Sequence, residues 1–247
     1  MYNFFVDKSN VSNTTAVISG NDFNHIKNVL RMRVGDEFLI SVDGVSSLCK
    51  LSAFENDSVI AEIIAENYLD TKLPIEIYLF QGLPKSDKME LIIQKAVELG
   101  VSKIIPVEMK RCVVKLDGKN KVSKVSRWQL IAESAAKQSK RNEIPRVLDV
   151  LTYNQALEMA KELDLFIVPY ENKNGMQSTL SALKEIKKGY KVGVLIGPEG
   201  GFEDSEAKLS ESFGGKLISL GKRILRAETA SITALSMLML YAEMNIE

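Results

Sequence analysis

Three short segments contain residues whose backbone could bind a ligand. Residues 169–171, 197–201 and 221–228 each follow an apolar run that is typical of a buried strand. Their glycines let the backbone approach a ligand closely, and in an open α/β sheet ligands bind beyond the carboxyl ends of the strands. The pattern predicts a ligand site built from these strand exits. Plain glycine–proline turns are the alternative.

The glycine spacing argues against two common nucleotide sites. Gly197, Gly200 and Gly201 fit neither the G-x-G-x-x-G pattern of dinucleotide binding nor the G-x-x-x-x-G-K-[ST] pattern of nucleotide hydrolases. His25 is the only histidine and lies in another part of the chain, which disfavours a Ser-His-Asp or Cys-His mechanism. For His25 we favour a half-buried structural side chain over a direct catalytic role.

Composition restricts the class of protein. The chain of 247 residues is 45% hydrophobic, enough for one large or two ordinary domains with a substantial core. There is no signal-peptide pattern and no apolar run of membrane-spanning length, and Cys49 and Cys112 lack the spacing of a metal site. We therefore expect a cytoplasmic protein with two buried thiols that binds neither a membrane nor a metal.

Charge is balanced over the whole chain but not within it. The 32 basic and 32 acidic residues give a net charge of zero. Residues 101–150, however, contain twelve Lys and Arg residues against five Asp and Glu residues. This local excess indicates either a solvated helix face or contact with RNA.

The elements that must position these residues fall into two groups. From Phe4 to about Asp70, short strands separated by Asp43-Gly44 and Asn56-Asp57 turns predict a small β-rich domain. Its predicted strands span residues 37–42, 46–54 and 58–64. A short helix with Asp22 as its N-cap is expected to bury an apolar stripe of Phe23, Ile26, Val29 and Leu30.

After Pro74 strands and helices alternate, which predicts a mostly parallel sheet covered by helices. The predicted strands span residues 75–80, 104–107, 165–168, 192–196 and 216–220. The predicted helices span residues 86–99, 127–140, 154–163, 204–212 and 228–243. Residues 118–122 are predicted to form a mobile loop, and the domains are expected to be residues 1–72 and 73–247.

Several strings of residues together resemble a known family. They are LIGPEGGFEDSE at 195–206, LGKRILRAETASITA at 220–234, HIKNVLRMRVG at 25–35, KSDKMELIIQKAVELG at 85–100, the Lys110-Arg111-Cys112 region with Lys115, and residues 127–141 with Pro145. In this order they resemble the RsmE family of SPOUT methyltransferases, which methylate N3 of a uridine in 16S ribosomal RNA, uridine 1498 in the family. The resemblance covers nearly the whole chain.

The resemblance implies a fold and a cofactor. The fold is α/β, with a SPOUT-type knotted parallel sheet and a small N-terminal PUA-like β-barrel domain that contacts RNA. Family members are homodimers and bind S-adenosylmethionine in a C-terminal trefoil knot, largely through backbone groups. Carried over to this chain, the cofactor-binding residues are Pro169, Tyr170, Glu171, Ile196, Gly197, Pro198, Glu199, Gly200, Gly201, Ser219, Leu220, Gly221, Ile224, Leu225 and Arg226.

Methylation at N3 of uridine would require a cation close to the base. Loss of the N3 proton builds negative charge on the ring carbonyl oxygens, and a guanidinium can stabilise it. Arg226 is the catalytic candidate, and a salt bridge to Glu228 or to a neighbouring subunit is the alternative. Glu199 could accept the proton, although we favour a loop-fixing role for it, and solvent is a third acceptor.

Basic residues of both predicted domains could contact RNA phosphates, which would provide affinity rather than base recognition. They are Lys27, Arg31, Arg33, Lys110, Arg111, Lys137, Lys140 and Arg141. The last helix is apolar over more than one face, which indicates core burial or, with the resemblance, a homodimer interface. The expected partner is 16S rRNA within the 30S subunit. The rival interpretations are a non-catalytic ribosome-binding module and a SPOUT enzyme that acts on transfer RNA or on a ribose hydroxyl.

Overall fold

The chain folds into two units. The computed structural model describes residues 1–85, 87–172 and 175–246. One unit comprises Met1–Lys72 and Ala136–Ile144, and the other comprises Leu73–Ala135 and Pro145–Glu247. The return of residues 136–144 to the first unit was not indicated by the sequence pattern.

The first unit is built on a five-stranded sheet that is curled into a half-barrel. Its strands lie in the order β1-β3-β4-β5-β2, and only the β1–β3 pair is parallel. The strands are β1 (Asn3–Phe5), β2 (Thr15–Ser19), β3 (Glu37–Val42), β4 (Val45–Phe54) and β5 (Ser58–Ala65). Phe4, Phe38, Ile40, Leu51 and Val59 form the centre of the core.

The helical segment of this unit differs from its prediction. Helix α1 (Gly20–Asn24) begins after Ser19, so Asp22 lies in the first turn and is not the N-cap. A π-helical turn (His25–Val29) follows, in which the Leu30 N–H donates to the carbonyl of His25. Because a π turn is wider than an α turn, the predicted stripe is broken: Ile26 is buried, but Val29 is 65% exposed. His25 is exposed rather than half-buried and meets Phe4 edge to face.

Polar contacts explain why residues 136–144 belong to the first unit. The Lys137 ammonium lies 2.9 Å from the Asp22 carboxylate. The buried Asn142 side chain donates to the carbonyl of Leu69 at 2.7 Å. Contacts made by side chains so far apart in sequence are not visible in local patterns.

The second unit contains a seven-stranded parallel sheet, which confirms the predicted parallel arrangement; its two short strands β8 and β9 were not predicted. The order is β12-β10-β11-β6-β7-β8, and β9 also pairs with β7. The strands are β6 (Glu76–Gly82), β7 (Lys103–Glu108), β8 (Arg146–Val147), β9 (Leu151–Thr152), β10 (Leu165–Pro169), β11 (Lys191–Ile196) and β12 (Lys216–Ile218). The helices are α2 (Lys88–Glu98), α3 (Gly118–Gln138), α4 (Tyr153–Ala160), α5 (Gln177–Lys184), α6 (Asp204–Ser212) and α7 (Ala227–Asn245).

Two predictions for this unit were wrong. Residues 118–122 form the first turn of α3 instead of a loop, because the Asp117 side chain accepts a hydrogen bond from the N–H of Asn120 at 2.9 Å and caps the helix. Helix α5 was not predicted; only Thr179 and Ala182 of its eight residues are buried, so it has few apolar core positions. Ser86, the predicted start of α2, lies outside the described residues. No helix within the described ranges is long and apolar enough to cross a membrane.

Candidate active site

A cavity of about 440 Å³ lies at the carboxyl ends of β10, β11 and β12. These strands are neighbours in one parallel sheet, so the loops that follow them leave from the same edge. Fourteen of the fifteen predicted cofactor residues line this cavity, and Gly200 is the exception. Six lining residues are not among those fifteen: Lys88, Phe202, Lys222, Arg223, Ala227 and Ala230.

The loop after β11 lies against the end of β6. A Cβ atom added to Gly82 would lie 2.7 Å from the backbone nitrogen of Pro198. Within the loop, the N–H of Gly201 donates to the carbonyl of Pro198 at 2.9 Å, and Gly201 has a φ of +65° that favours glycine. Gly200 faces Arg111 instead of the cavity, and the Arg111 guanidinium donates to its carbonyl at 2.9 Å.

The loop after β10 is oriented by side-chain contacts. The Tyr170 hydroxyl donates to the Asp204 carboxylate at 2.6 Å, and the ring meets Phe202 edge to face. The hydrogen bond to Asp204 raises the pKa of Tyr170. The Glu171 carboxylate lies beside Gly201 and is exposed at the cavity wall.

One ammonium group serves two carboxylates in the cavity wall. The Lys88 Nζ atom lies 3.1 Å from Glu199 Oε1 and 3.3 Å from Glu228 Oε2. Both distances are ion-pair contacts, and Glu228 Oε2 is buried. The contact with Glu199 raises the pKa of Lys88, against a smaller effect of desolvation, and the contact with Glu228 raises it further.

Glu199 holds its own loop in place. Its carboxylate accepts the N–H of Lys85 at 3.0 Å as well as the Lys88 ammonium. Burial alone would raise the pKa of Glu199, but the hydrogen bonds from its own N–H and that of Lys85, together with Lys88, lower it. A carboxylate with a lowered pKa is a weak proton acceptor at neutral pH. The geometry favours the loop-fixing role.

Arg226 stands immediately before α7, at its N-cap position, and is exposed. Within the described ranges no carboxylate lies within 4.0 Å of its guanidinium, and Glu228, the predicted alternative partner, contacts Lys88 instead. Its planar group is therefore available to a ligand in the cavity.

Two buried hydroxyl contacts hold the loop after β12 at its ends. The Thr179 hydroxyl of α5 donates to the carbonyl of Ser219 at 2.7 Å, and Ser219 N–H donates back to it at 3.2 Å. At the other end, Ser231 of α7 donates to the side-chain oxygen of the buried Gln81 at 2.6 Å. Neither pair was predicted. A polar residue at the end of an apolar strand, such as Gln81, is the sequence signal that could have indicated the second pair.

The structure separates the predicted RNA contacts into two groups. Lys27, Arg31, Arg33 and Lys140 are exposed, as are Lys110 and Arg111. Polar contacts within the protein hold three of the eight: Lys137 pairs with Asp22, Lys110 lies 2.9 Å from Glu203, and Arg111 binds the Gly200 carbonyl. Burial lowers the pKa of the half-buried Arg141 to about 10.

The titratable groups of the described chain form no cluster of three or more His, Cys, Asp or Glu side chains that could hold a metal ion. Cys49 and Cys112 are buried free thiols, as predicted. Burial raises the pKa of Cys49 to about 12, which keeps it protonated and unreactive at neutral pH.

Comparisons with known proteins agree with this architecture. Residues 71–239 match the family described as RNA methyltransferase domain, and residues 18–64 match the RNA methyltransferase PUA domain. The chain is 42% identical over 226 residues to ribosomal RNA small subunit methyltransferase E of Bacillus subtilis, covering 90% of this chain and 88% of the relative. It is 34% identical to the protein of that name from Mesomycoplasma hyopneumoniae, covering 96% and 98%.

A solved structure extends the similarity to three dimensions. The crystal structure of ribosomal RNA small subunit methyltransferase E from Neisseria gonorrhoeae bound to S-adenosyl methionine superimposes with a TM-score of 0.83. It is 31% identical in sequence, and the match covers 97% of each chain. These matches confirm the resemblance read from the residues, and the chain belongs to the ribosomal RNA small subunit methyltransferase E (RsmE) family of RNA methyltransferases.

Proposed function

We propose that this protein transfers the methyl group of S-adenosylmethionine to N3 of a uridine in 16S ribosomal RNA. The observation that carries the proposal is the cavity at three strand ends with the unpaired Arg226 guanidinium on its wall. A planar cation at this place matches a base that becomes negatively charged when it loses its N3 proton.

The cavity suits the cofactor. Its volume of about 440 Å³ lies within the range of small-molecule sites. Glycines at 197, 201 and 221 leave backbone groups open on the wall, and these can hold an adenine edge without side-chain recognition. S-adenosylmethionine would supply an electrophilic methyl group on a sulfonium centre.

The residues of this chain would perform three tasks. The three loops orient the methyl group and N3 in line, because displacement requires aligned reactants. Arg226 stabilises the negative charge on the uridine oxygens. The N3 proton leaves to solvent, since the Glu199 carboxylate is held by Lys85 and Lys88.

The RNA and the oligomer are also part of the proposal. The PUA unit, with Lys27, Arg31 and Arg33 exposed, would bind 16S rRNA on the 30S subunit in the cytoplasm. Leu240 and Met244 of α7 are 47% and 72% exposed, which supports a homodimer through this helix. The residues after β11 and β12 would form the trefoil knot. Residues 1–72 and 73–247 would carry RNA binding and catalysis, respectively.

The substitution Arg226→Lys tests the proposal. We expect the Lys variant to bind S-adenosylmethionine as the wild type does in calorimetry but to lose most single-turnover methylation of 30S subunits, because a point charge cannot contact two oxygens in one plane. Normal single-turnover methylation by the variant would refute the role of Arg226. Wild-type protein that does not bind S-adenosylmethionine would instead indicate a non-catalytic ribosome-binding module.

Mass spectrometry of ribosomal RNA identifies the product. RNA from cells that lack the gene should have an unmodified uridine where wild-type RNA carries 3-methyluridine. A missing methyl group on transfer RNA or on a ribose would reassign the substrate. Light scattering at micromolar concentration tests the homodimer, and a monomer mass would contradict it.

A further inference from the structure

An apolar side chain projects from the rim of the cavity. Ile224 is 87% exposed, and no other large hydrophobic side chain in the described parts of the chain is more exposed. It lines the same cavity as Arg226. Exposure of a β-branched apolar side chain at a binding site is unfavourable in water, so it indicates a surface that is covered when a ligand binds.

The residues next to Ile224 indicate the chemistry of what covers it. Lys222, Arg223 and Arg226 place three positive charges within five residues of the chain. None of the three has a carboxylate within 4.0 Å among residues 1–85, 87–172 and 175–246. An apolar side chain between unpaired cations is complementary to a nucleic acid, which has apolar base faces and anionic phosphates.

The loop that carries Ile224 is anchored at both ends. Ser219 is bound to Thr179 on one side, and the first turns of α7 are held by the Ser231–Gln81 hydrogen bond on the other. All four of these side chains are buried. These contacts fix the start of the loop and the helix that follows it, and so set the region from which Ile224 projects.

We propose that Ile224 is a wedge that fills the gap in the RNA when the target uridine enters the cavity. This inference rests on the proposed function. The N3 atom lies on the pairing edge of uracil, so the base must leave its stack before N3 can reach a methyl donor. Ile224 replaces the lost stacking contact, and Lys222 and Arg223 hold the phosphates on either side.

The test compares Ile224→Ser with Ile224→Leu, which keeps an apolar group of the same size. The matched control is Leu130→Ser, because Leu130 is a 67% exposed apolar residue on α3 outside the cavity. Unmethylated 30S subunits are the substrate, and S-adenosylmethionine is saturating. We expect single-turnover methylation by Ile224→Ser to fall by about tenfold or more, Ile224→Leu to recover most of that loss, and the control Leu130→Ser to stay within about threefold of the wild type.

A second measurement reports extrusion directly. In an RNA fragment with 2-aminopurine next to the target uridine, fluorescence should rise when wild-type protein binds, because the neighbour loses its stacking partner. With Ile224→Ser bound at saturation, this rise should be absent. Methylation by Ile224→Ser at the wild-type rate, or an unchanged fluorescence rise, would overturn the wedge.

Two further outcomes would also reject it. A calorimetric affinity for S-adenosylmethionine that falls in Ile224→Ser as much as the rate does would make Ile224 a cofactor contact. A halved mass in light scattering would make it a contact with a second copy of the chain. If the wild type does not methylate 30S subunits at all, both the proposed function and the wedge are rejected. If the wild type is active and Ile224→Ser is equally active, only the wedge is rejected.

Discussion

Replacing Gly82 by alanine tests whether the cavity depends on close contact between β6 and the loop after β11. An added Cβ would lie 2.7 Å from the backbone nitrogen of Pro198 and 2.8 Å from the sulfur of Met109. Met109 can rotate, but the proline backbone can move only with its loop. Since ordinary contact begins at 3.4 Å, the loop must shift by about 0.7 Å.

The expected change in the free energy of unfolding of Gly82→Ala follows from two opposing effects. Overpacking a close contact costs about 1–3 kcal/mol. Alanine also restricts the unfolded chain, which stabilises the protein by about 0.4–1 kcal/mol wherever the folded conformation accepts it. Gly118→Ala is the matched control, because Gly118 begins α3 with no atom within 4 Å of an added Cβ. The free energies of unfolding of the two variants should differ by the overpacking term, about 1–3 kcal/mol.

Cofactor affinity should respond as well. The shifted loop carries backbone groups of residues 197–199 away from the cavity, and losing about 1.4 kcal/mol of contact weakens binding by about tenfold. Urea denaturation followed by circular dichroism measures stability, and calorimetry with S-adenosylmethionine measures affinity. A Gly82→Ala variant as stable as Gly118→Ala and with wild-type affinity would refute the reasoning.

Two other predictions concern charge. Because the pKa of Glu199 is lowered in the folded protein, its ionised form stabilises the fold above the unfolded pKa, about 4.3, and this contribution is lost as the pH falls through the lowered value. Glu199→Gln should therefore lose less stability than the wild type between pH 7 and pH 3 in urea denaturation, and equal losses would contradict the sign. In the PUA unit, the double change Arg31→Ala with Arg33→Ala should weaken RNA binding and reduce the slope of log affinity against log salt by about 0.7–0.9 per lost phosphate contact, with unchanged S-adenosylmethionine affinity in calorimetry. An unaltered salt slope would mean that neither arginine contacts phosphate.

The sequence was most informative where local pattern determines structure. Buried parallel strands are continuous apolar runs, so β10 and β11 were located to within one residue, and their parallel arrangement predicted that the following loops meet. The family strings then predicted the ligand. Lys88 was quoted within one of these strings, but its contacts with Glu199 and Glu228 could not be read from it, because they join α2 to residues more than a hundred positions away.

Local sequence patterns failed where the backbone departs from regular helical periods or where a single polar contact determines the structure. The π turn at His25–Val29 moved Val29 out of the core. Helix α5 buries only two of its eight residues and was not predicted, yet its Thr179 anchors the loop after β12. The position of α5 depends on the buried Thr179 hydroxyl, which contacts Ser219. This is a tertiary contact, and the residue spacing within α5 does not reveal it.

The ion pairs of Lys88 in the cavity wall bear on the proposed catalytic role of Arg226. Glu228 is two residues from Arg226 in sequence and would be its natural partner. Lys88 contacts Glu228 instead, and because Lys88 also pairs with Glu199, one ammonium links the loop after β11 to the start of α7. A salt bridge to Arg226 would hold the guanidinium away from the substrate and weaken its stabilisation of the uridine anion. We therefore expect Lys88 to keep Arg226 unpaired, so that the proposed reaction depends on a residue of α2 that need not touch the RNA.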